Sequence, residues 1–333
     1  MVGMRGWWQD LTDLVLPAEC GGCGRPRTVL CPECRAAATG AEPRRVRPVP
    51  EPPGLPVVYA AAPYGDAVRA LLLAHKERGA LALAAPLGTA LAGAVRAVLR
   101  ESRRVTEEVR GDGGTPVGMR AATSVSSGMR EEPAVREPVL LVPVPSARKA
   151  VRARGHDPAR RIALAAAGEL RRTGTPARVL GVLRQRRAVA DQSGLDSRQR
   201  LDNLTGALTV AAGGGRLLAG GRIVLVDDLM TTGASLAEAA RAVQAARRET
   251  AVYGGMAWEG TAQRIVGVAA VTREEPEHPT GAEADPAERA LGMAGTSGAG
   301  DVLRDVPRAA VVAASPESFR SEPELTEDLQ RCR

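Results

Sequence analysis

Apolar positions fall along this chain in blocks with two different periods. Val57-Val58-Tyr59-Ala60 is a short β-prone run, whereas Leu87, Leu91, Val95 and Leu99 recur every four residues and mark one face of a helix. Val139 to Val144, Ile223 to Val226 and Ala251 to Trp258 are continuous apolar runs, the pattern of strands covered on both sides. Helical stretches lie between them, around Ala159 to Arg172 and Ser235 to Ala246. Strand and helix in alternation predict an α/β fold, a parallel sheet with helices on both faces.

The segments between these blocks suggest boundaries. Residues 1–41 combine a short apolar stretch (Leu11, Leu14, Val15) with four cysteines in fifteen residues, and predict a small module of their own. A Pro-rich linker over 42–56 precedes a main domain over 57–271. Residues 101–138, rich in Gly, Ser, Glu and Arg and without apolar period, predict a flexible insertion. Residues 272–333 hold 13 acidic and 7 basic side chains and predict a disordered tail, which leaves the first 271 residues at +13 against +7 for the whole chain.

A chain of 333 residues, 44% hydrophobic and 25% charged, is long enough for one substantial core, which excludes fully disordered and collagen-like readings. Of its 45 basic residues only Lys76 and Lys149 are lysine, so the arginine excess reads as codon bias before it reads as function. Aromatics make up 2% of the chain, so the core is expected to consist of Ala, Leu and Val, with little material for base stacking. The uncharged stretch Ala80 to Val95 falls short of the roughly 18–20 apolar residues of a membrane span. No cleaved export segment is evident, and the expectation is a cytoplasmic protein with reduced cysteines.

Two patterns carry chemistry. Cys20, Cys23, Cys31 and Cys34 form two Cys-x-x-Cys pairs, each a knuckle offering two thiolates, and together they suit closed tetrahedral zinc of structural type. A redox motif, a rubredoxin-type iron site and unligated thiols are the alternatives. The second pattern is Ile223-Val224-Leu225-Val226-Asp227-Asp228-Leu229-Met230-Thr231-Thr232-Gly233-Ala234-Ser235. A buried strand there delivers two carboxylates at its carboxyl end, and a turn of small residues then opens a helix. Amides and hydroxyls of Thr231 to Ser235 at a helix start suit a phosphate, and the two acids suit vicinal hydroxyls or magnesium, so ribose 5-phosphate supplies both ends. The competing reading is an ordinary strand, loop and capped helix.

This segment resembles the signature of the type I phosphoribosyltransferases: four apolar residues, two acids, two apolar residues, then Thr-Thr-Gly-x-Ser/Thr. The resemblance implies binding of phosphoribosyl pyrophosphate with magnesium, Asp227 and Asp228 holding the ribose hydroxyls and Thr231, Thr232, Gly233, Ala234 and Ser235 the 5-phosphate. After Val142-Pro143-Val144-Pro145 come Arg148, Lys149, Arg152, Arg154 and Arg160, and the resemblance turns this loop toward pyrophosphate, with Arg148, Arg152 and Arg154 as its ligands. The other reading is a solvated basic turn, with His156 a turn or packing residue.

With the cysteine module, Val-Pro-Val-Pro, the Arg152-x-Arg154-Gly155 element and the spacing of Gln192, Leu195, Arg200 and Asn203, residues from about Leu11 to Val271 look like the ComF family. The chain departs from it in carrying His156-Asp157-Pro158 where the family has an aromatic, Asn and Gln. The resemblance implies a zinc-ribbon-like head on a phosphoribosyltransferase-like domain and a role in competence, handling imported single-stranded DNA beside a DNA-uptake helicase, peripheral to the membrane. The alternative is a biosynthetic transferase that moves phosphoribosyl to a nitrogen acceptor and releases pyrophosphate.

Overall fold

A computed structural model describes residues 19–111, 137–187, 199, 203–266 and 307–320. In chain order the elements are α1 (Pro32–Thr39), β1 (Arg44–Val46), β2 (Val58–Pro63), α2 (Asp66–Lys76), α3 (Ala84–Gly111), β3 (Val139–Pro143), α4 (Arg148–Arg154), α5 (Pro158–Arg172), β4 (Ala177–Val179), β5 (Leu183–Gln185), β6 (Leu208–Val210), α6 (Gly214–Leu218), β7 (Arg222–Met230), α7 (Ala234–Val266) and β8 (Arg308–Ala314). Six strands form one sheet in the order β1-β2-β8-β7-β3-β4, and β5 and β6 form a separate hairpin. Every pairing in the large sheet is parallel except β1 on β2.

Alternate residues of the central strands supply two cores. Val139, Leu141, Val224, Val226, Ala310 and Val312 meet Leu87, Leu91 and Val95 of α3 and Ile162, Ala166 and Leu170 of α5 on one face. On the other, Leu140, Val142, Ile223, Leu225, Ala309 and Val311 meet Leu236, Ala240 and Val243 of α7 and Leu183 and Leu208 of the hairpin. A core this poor in aromatics fills its space by bringing backbones close. At Gly88 of α3 an added Cβ would lie 2.5 Å from the Cβ of Ala165 on α5, so glycine sets the approach of the two helices. The stretch Leu81–Glu108 is long and apolar enough to cross a membrane, but 61% of that apolar window is buried inside the fold, where it covers the sheet.

Several boundaries differ from expectation. The strand expected over Ala251 to Trp258 lies within α7, which runs unbroken from Ala234 to Val266. No Gly or Pro interrupts residues 235–253, and a short apolar run does not by itself distinguish strand from helix. The sheet position between β2 and β7 is taken instead by Arg308–Ala314, from the segment expected to be a disordered tail; its six alanines and valines from Ala309 to Ala314 are all buried. Net charge concealed a seven-residue core strand. The Pro-rich segment is not only a linker, since Arg44–Val46 pairs with β2. The insertion begins later than residue 101, because α3 continues to Gly111, and 112–136 lie outside the described residues.

The cysteine module is not a separate body either. Cys20, Cys31 and Cys34 belong to the same buried cluster as Leu71, Leu83 and Leu87 of the main domain. Around them, among the described residues, stand a single β-bridge, Glu19 to Pro26, and helix α1.

Candidate functional site

The sheet order creates a break in direction. From β3 the chain moves outward to β4, then returns to the opposite side of β3 to form β7 and β8. Ligand crevices of parallel sheets open at such a point, outside the carboxyl ends of the strands. Register fixes what meets there: Pro143 pairs with Val226, and the Val144 N–H donates to the Val226 carbonyl at 2.9 Å. The next residues of β7 are Asp227 and Asp228, and four residues beyond Val144 the basic helix α4 begins. The acidic pair and the arginine segment, more than 70 residues apart in sequence, are brought to the same sheet edge by strand pairing.

Beyond β7 the chain turns through Thr231, Thr232 and Gly233 into α7. Gly233 adopts φ 75°, the left-handed region that favours glycine. The Ala237 N–H donates to the Gly233 carbonyl at 3.0 Å, and the amides before it have no intrahelical acceptor. Thr231 is exposed and Ser235 half-buried. Leu55 and Pro48 stand against Gly233, where an added Cβ would approach Leu55 to 2.9 Å, so the Pro-rich segment packs on the turn. Leu204 and Ala207, beside the hairpin, pack on Ala234.

Lys76 completes the acidic group. It ends α2, and its Nζ lies 3.2 Å from Oδ2 of Asp228, whose side chain is almost wholly buried. Burial works against the Lys76 ammonium, but the Asp228 and Asp227 carboxylates outweigh it and hold its pKa above the usual lysine value. Asp227 accepts the Asp228 N–H at 2.9 Å. Burial, then the neighbouring Asp228, pushes the Asp227 carboxyl well above its ordinary range, opposed by Lys76. Composition drew attention to Lys76 only as one of two lysines; the sequence signal that was available is its place on the last turn of an amphipathic helix after the first parallel strand.

Residues on either side of Lys76 join α2 to the arginine segment. Arg154 Nη1 donates to Glu77 Oε1 at 3.0 Å. The two ring nitrogens of His156 lie 3.2 Å from the backbone carbonyls of Arg154 and His75. The His75 ring is fully buried edge-on to His156, with Nδ1 3.3 Å from the Ala80 carbonyl, and burial depresses its pKa. His156 is thus a packing residue that staples two elements. Arg148, Lys149 and Arg152 are exposed, whereas the side chain of Arg154 is largely covered and tied to Glu77. Arg160 is exposed on the first turn of α5, where Asp157 caps the helix by accepting the Arg160 N–H.

Asp191 through Leu195 and Arg200 lie outside the described residues. The ends of that segment are held by Arg187, whose Nη2 donates to the carbonyls of Asn203 at 2.7 Å and Thr205 at 3.2 Å. The hairpin below is fixed to α7 by buried Glu238 and its more exposed partner Arg241. Glu238 accepts the Leu208 N–H at 2.9 Å and pairs with Arg241 at 2.7 Å, and Arg241 donates to the Leu208 carbonyl at 3.0 Å. One Glu and one Arg thereby satisfy both backbone groups of Leu208, as a neighbouring strand would.

The four cysteine sulfurs all lie within 4.8 Å of one another, with Cys23 and Cys31 3.6 Å apart, so they could hold a metal ion. A tetrahedron with metal–sulfur arms of about 2.3 Å has sulfur edges of about 3.8 Å, so the set is consistent with structural zinc. The Cys31 N–H points to the Cys20 sulfur and the Cys34 N–H to the Cys31 sulfur, each at 3.4 Å, as in a knuckle that favours thiolate. At Gly22 a Cβ would stand 2.6 Å from the Cys34 sulfur, so glycine makes room for it. Burial raises the Cys20 thiol, but hydrogen bonds from the backbone of Cys31, Cys23 and Gly22 together bring it down to about 6; burial drives Cys34 the other way.

No protein-family model matches the chain, and no curated protein matches its sequence.

Proposed function

We propose that the chain is a ComF-type protein that binds phosphoribosyl pyrophosphate, or a related ribose 5-phosphate ligand, at the carboxyl edge of its sheet and handles single-stranded DNA. One observation carries the reading. Strand register brings Asp227 and Asp228, the small-residue turn that opens α7 and the start of α4 with its exposed cations to one edge of the sheet. A phosphoribosyl group needs these three parts in this order: acceptors for hydroxyls, amides for the 5-phosphate, guanidinium groups for the pyrophosphate.

In this reading Asp227 and Asp228 hold the ribose, Thr231 to Ser235 the 5-phosphate, and Arg148 and Arg152 the pyrophosphate, with Mg²⁺ arriving on the pyrophosphate oxygens. Arg154, already paired with Glu77, positions the helix that carries the other two. If the site is catalytic, it acts mainly by positioning and charge stabilisation as the bond from the anomeric carbon to pyrophosphate breaks. Cys20, Cys23, Cys31 and Cys34 would hold zinc, which with four thiolate ligands would serve the fold and not the chemistry.

Fluorescence anisotropy of a labelled single-stranded oligonucleotide, titrated with zinc-loaded protein at two salt concentrations, tests the polymer half of the proposal. Binding that weakens steeply with salt is expected, because phosphate contacts release counterions. Absence of binding at low salt removes the DNA role and leaves the transferase reading, to be tested by pyrophosphate release with a panel of nitrogen acceptors.

A further inference from the structure

Two adjacent carboxylates beside a turn suited to phosphate pose an electrostatic conflict, since the acids repel the anion that the turn attracts. The same carboxylates would attract a divalent cation, and an acidic pair alone does not say which ligand it takes. Lys76 decides between the two. Its Nζ occupies one face of the Asp228 carboxylate at 3.2 Å, and it is the only Lys or Arg within ion-pair distance of either aspartate among the described residues. The nearby Arg154 is committed to Glu77.

We infer that Lys76 is a resident counter-ion that sets the ligand class of this site: with the ammonium in place the acidic pair accepts the hydroxyls of an anionic sugar phosphate, and without it the pair becomes a divalent-cation site. Three features of the geometry support this. The lysine reaches the pair from α2, a different element from the one that carries the acids, so the neutralising charge is built into the fold and does not depend on the ligand. Asp228 is buried and has no other cation, so its charge needs this partner. Asp227 keeps acceptor capacity beyond the Asp228 N–H that it already accepts, which suits a hydroxyl. In its sugar-phosphate half the inference rests on the proposed phosphoribosyl site; its cation half does not.

The test compares wild type, Lys76→Met, Lys76→Arg and the double variant Lys76→Met/Asp228→Asn, all zinc-loaded. Mn²⁺ alone is titrated by the loss of its free paramagnetic signal, and inorganic phosphate and ribose 5-phosphate are titrated by calorimetry. Lys76→Met is expected to bind Mn²⁺ at least about tenfold more tightly than wild type and ribose 5-phosphate at least about tenfold more weakly, the scale of a neighbouring charge on a carboxylate. Adding Asp228→Asn should abolish the gained Mn²⁺ affinity and return inorganic phosphate binding to the wild-type level. Lys76→Arg should restore the wild-type selectivity. Unchanged Mn²⁺ affinity in Lys76→Met overturns the inference, and Lys76→Gln provides the same reading if the Met variant does not fold. Should wild type bind neither phosphate nor ribose 5-phosphate, the phosphoribosyl reading falls while the Mn²⁺ comparison still decides the role of Lys76.

Discussion

Asp227 carries an electrostatic load that should be visible in the stability of the whole chain. Its carboxyl titrates higher in the fold than in the unfolded chain because burial and Asp228 both oppose its charge. The folded state therefore holds the proton over a window in which the unfolded state has lost it, and stability falls as pH rises from the ordinary aspartate range through the raised value. Asp227→Asn should remove this slope and unfold at higher urea than wild type at neutral pH. Urea titrations at a series of pH values check it, and an unchanged slope would mean that Asp227 is well solvated. His75 acts in the acid direction. Its imidazole is buried and its pKa is depressed, so as pH falls through the ordinary histidine range the unfolded chain takes up a proton first and the fold loses stability. The pair Asp227-Asp228 was legible in sequence because thirteen consecutive positions carry its pattern. Lys76 left only a weak signal, its place on the last turn of a helix, which does not say which strand end it will face.

Among elements, the α3–α5 and α7–hairpin contacts carry the most specific claims. Gly88→Val should cost about 1–3 kcal/mol by forcing α3 away from Ala165, measured as a lower urea midpoint with an unchanged slope. Glu238→Ala strips Leu208 of its acceptor and Arg241 of its partner, and should cost about 1–3 kcal/mol, with Glu238→Gln intermediate because it keeps one acceptor. Strands β3 and β7 were legible from short continuous apolar runs rich in Val, Leu and Ile, the pattern of a doubly covered strand. The position of β8 was not. Arg308–Ala314 is as apolar as its neighbours, but it follows an acidic stretch, and a composition taken over 62 residues hid seven of them. The run Ala251 to Trp258 erred in the opposite sense, because nothing between Ser235 and Tyr253 ends a helix.

At the scale of the molecule, the cysteine cluster and the sheet share one core. Cys20, Cys31 and Cys34 are buried with residues of α2 and α3, and α2 also carries Lys76 to the acidic pair. Removing the metal should therefore lower the melting temperature of the single main transition by at least about 5 °C, and not melt a small module on its own. Differential scanning calorimetry before and after chelation, with Cys34→Ser as a control, distinguishes the two. The same connection links the cysteine cluster to the acidic pair, since whatever loosens α2 displaces Lys76.

The most direct measurement is a calorimetric titration of phosphoribosyl pyrophosphate with Mg²⁺ into the zinc-loaded protein and into Asp227→Asn/Asp228→Asn. The site described here predicts saturable one-to-one binding to wild type and a loss of at least about tenfold in the double variant. Binding that the double variant retains in full, or no binding to wild type, would contradict it.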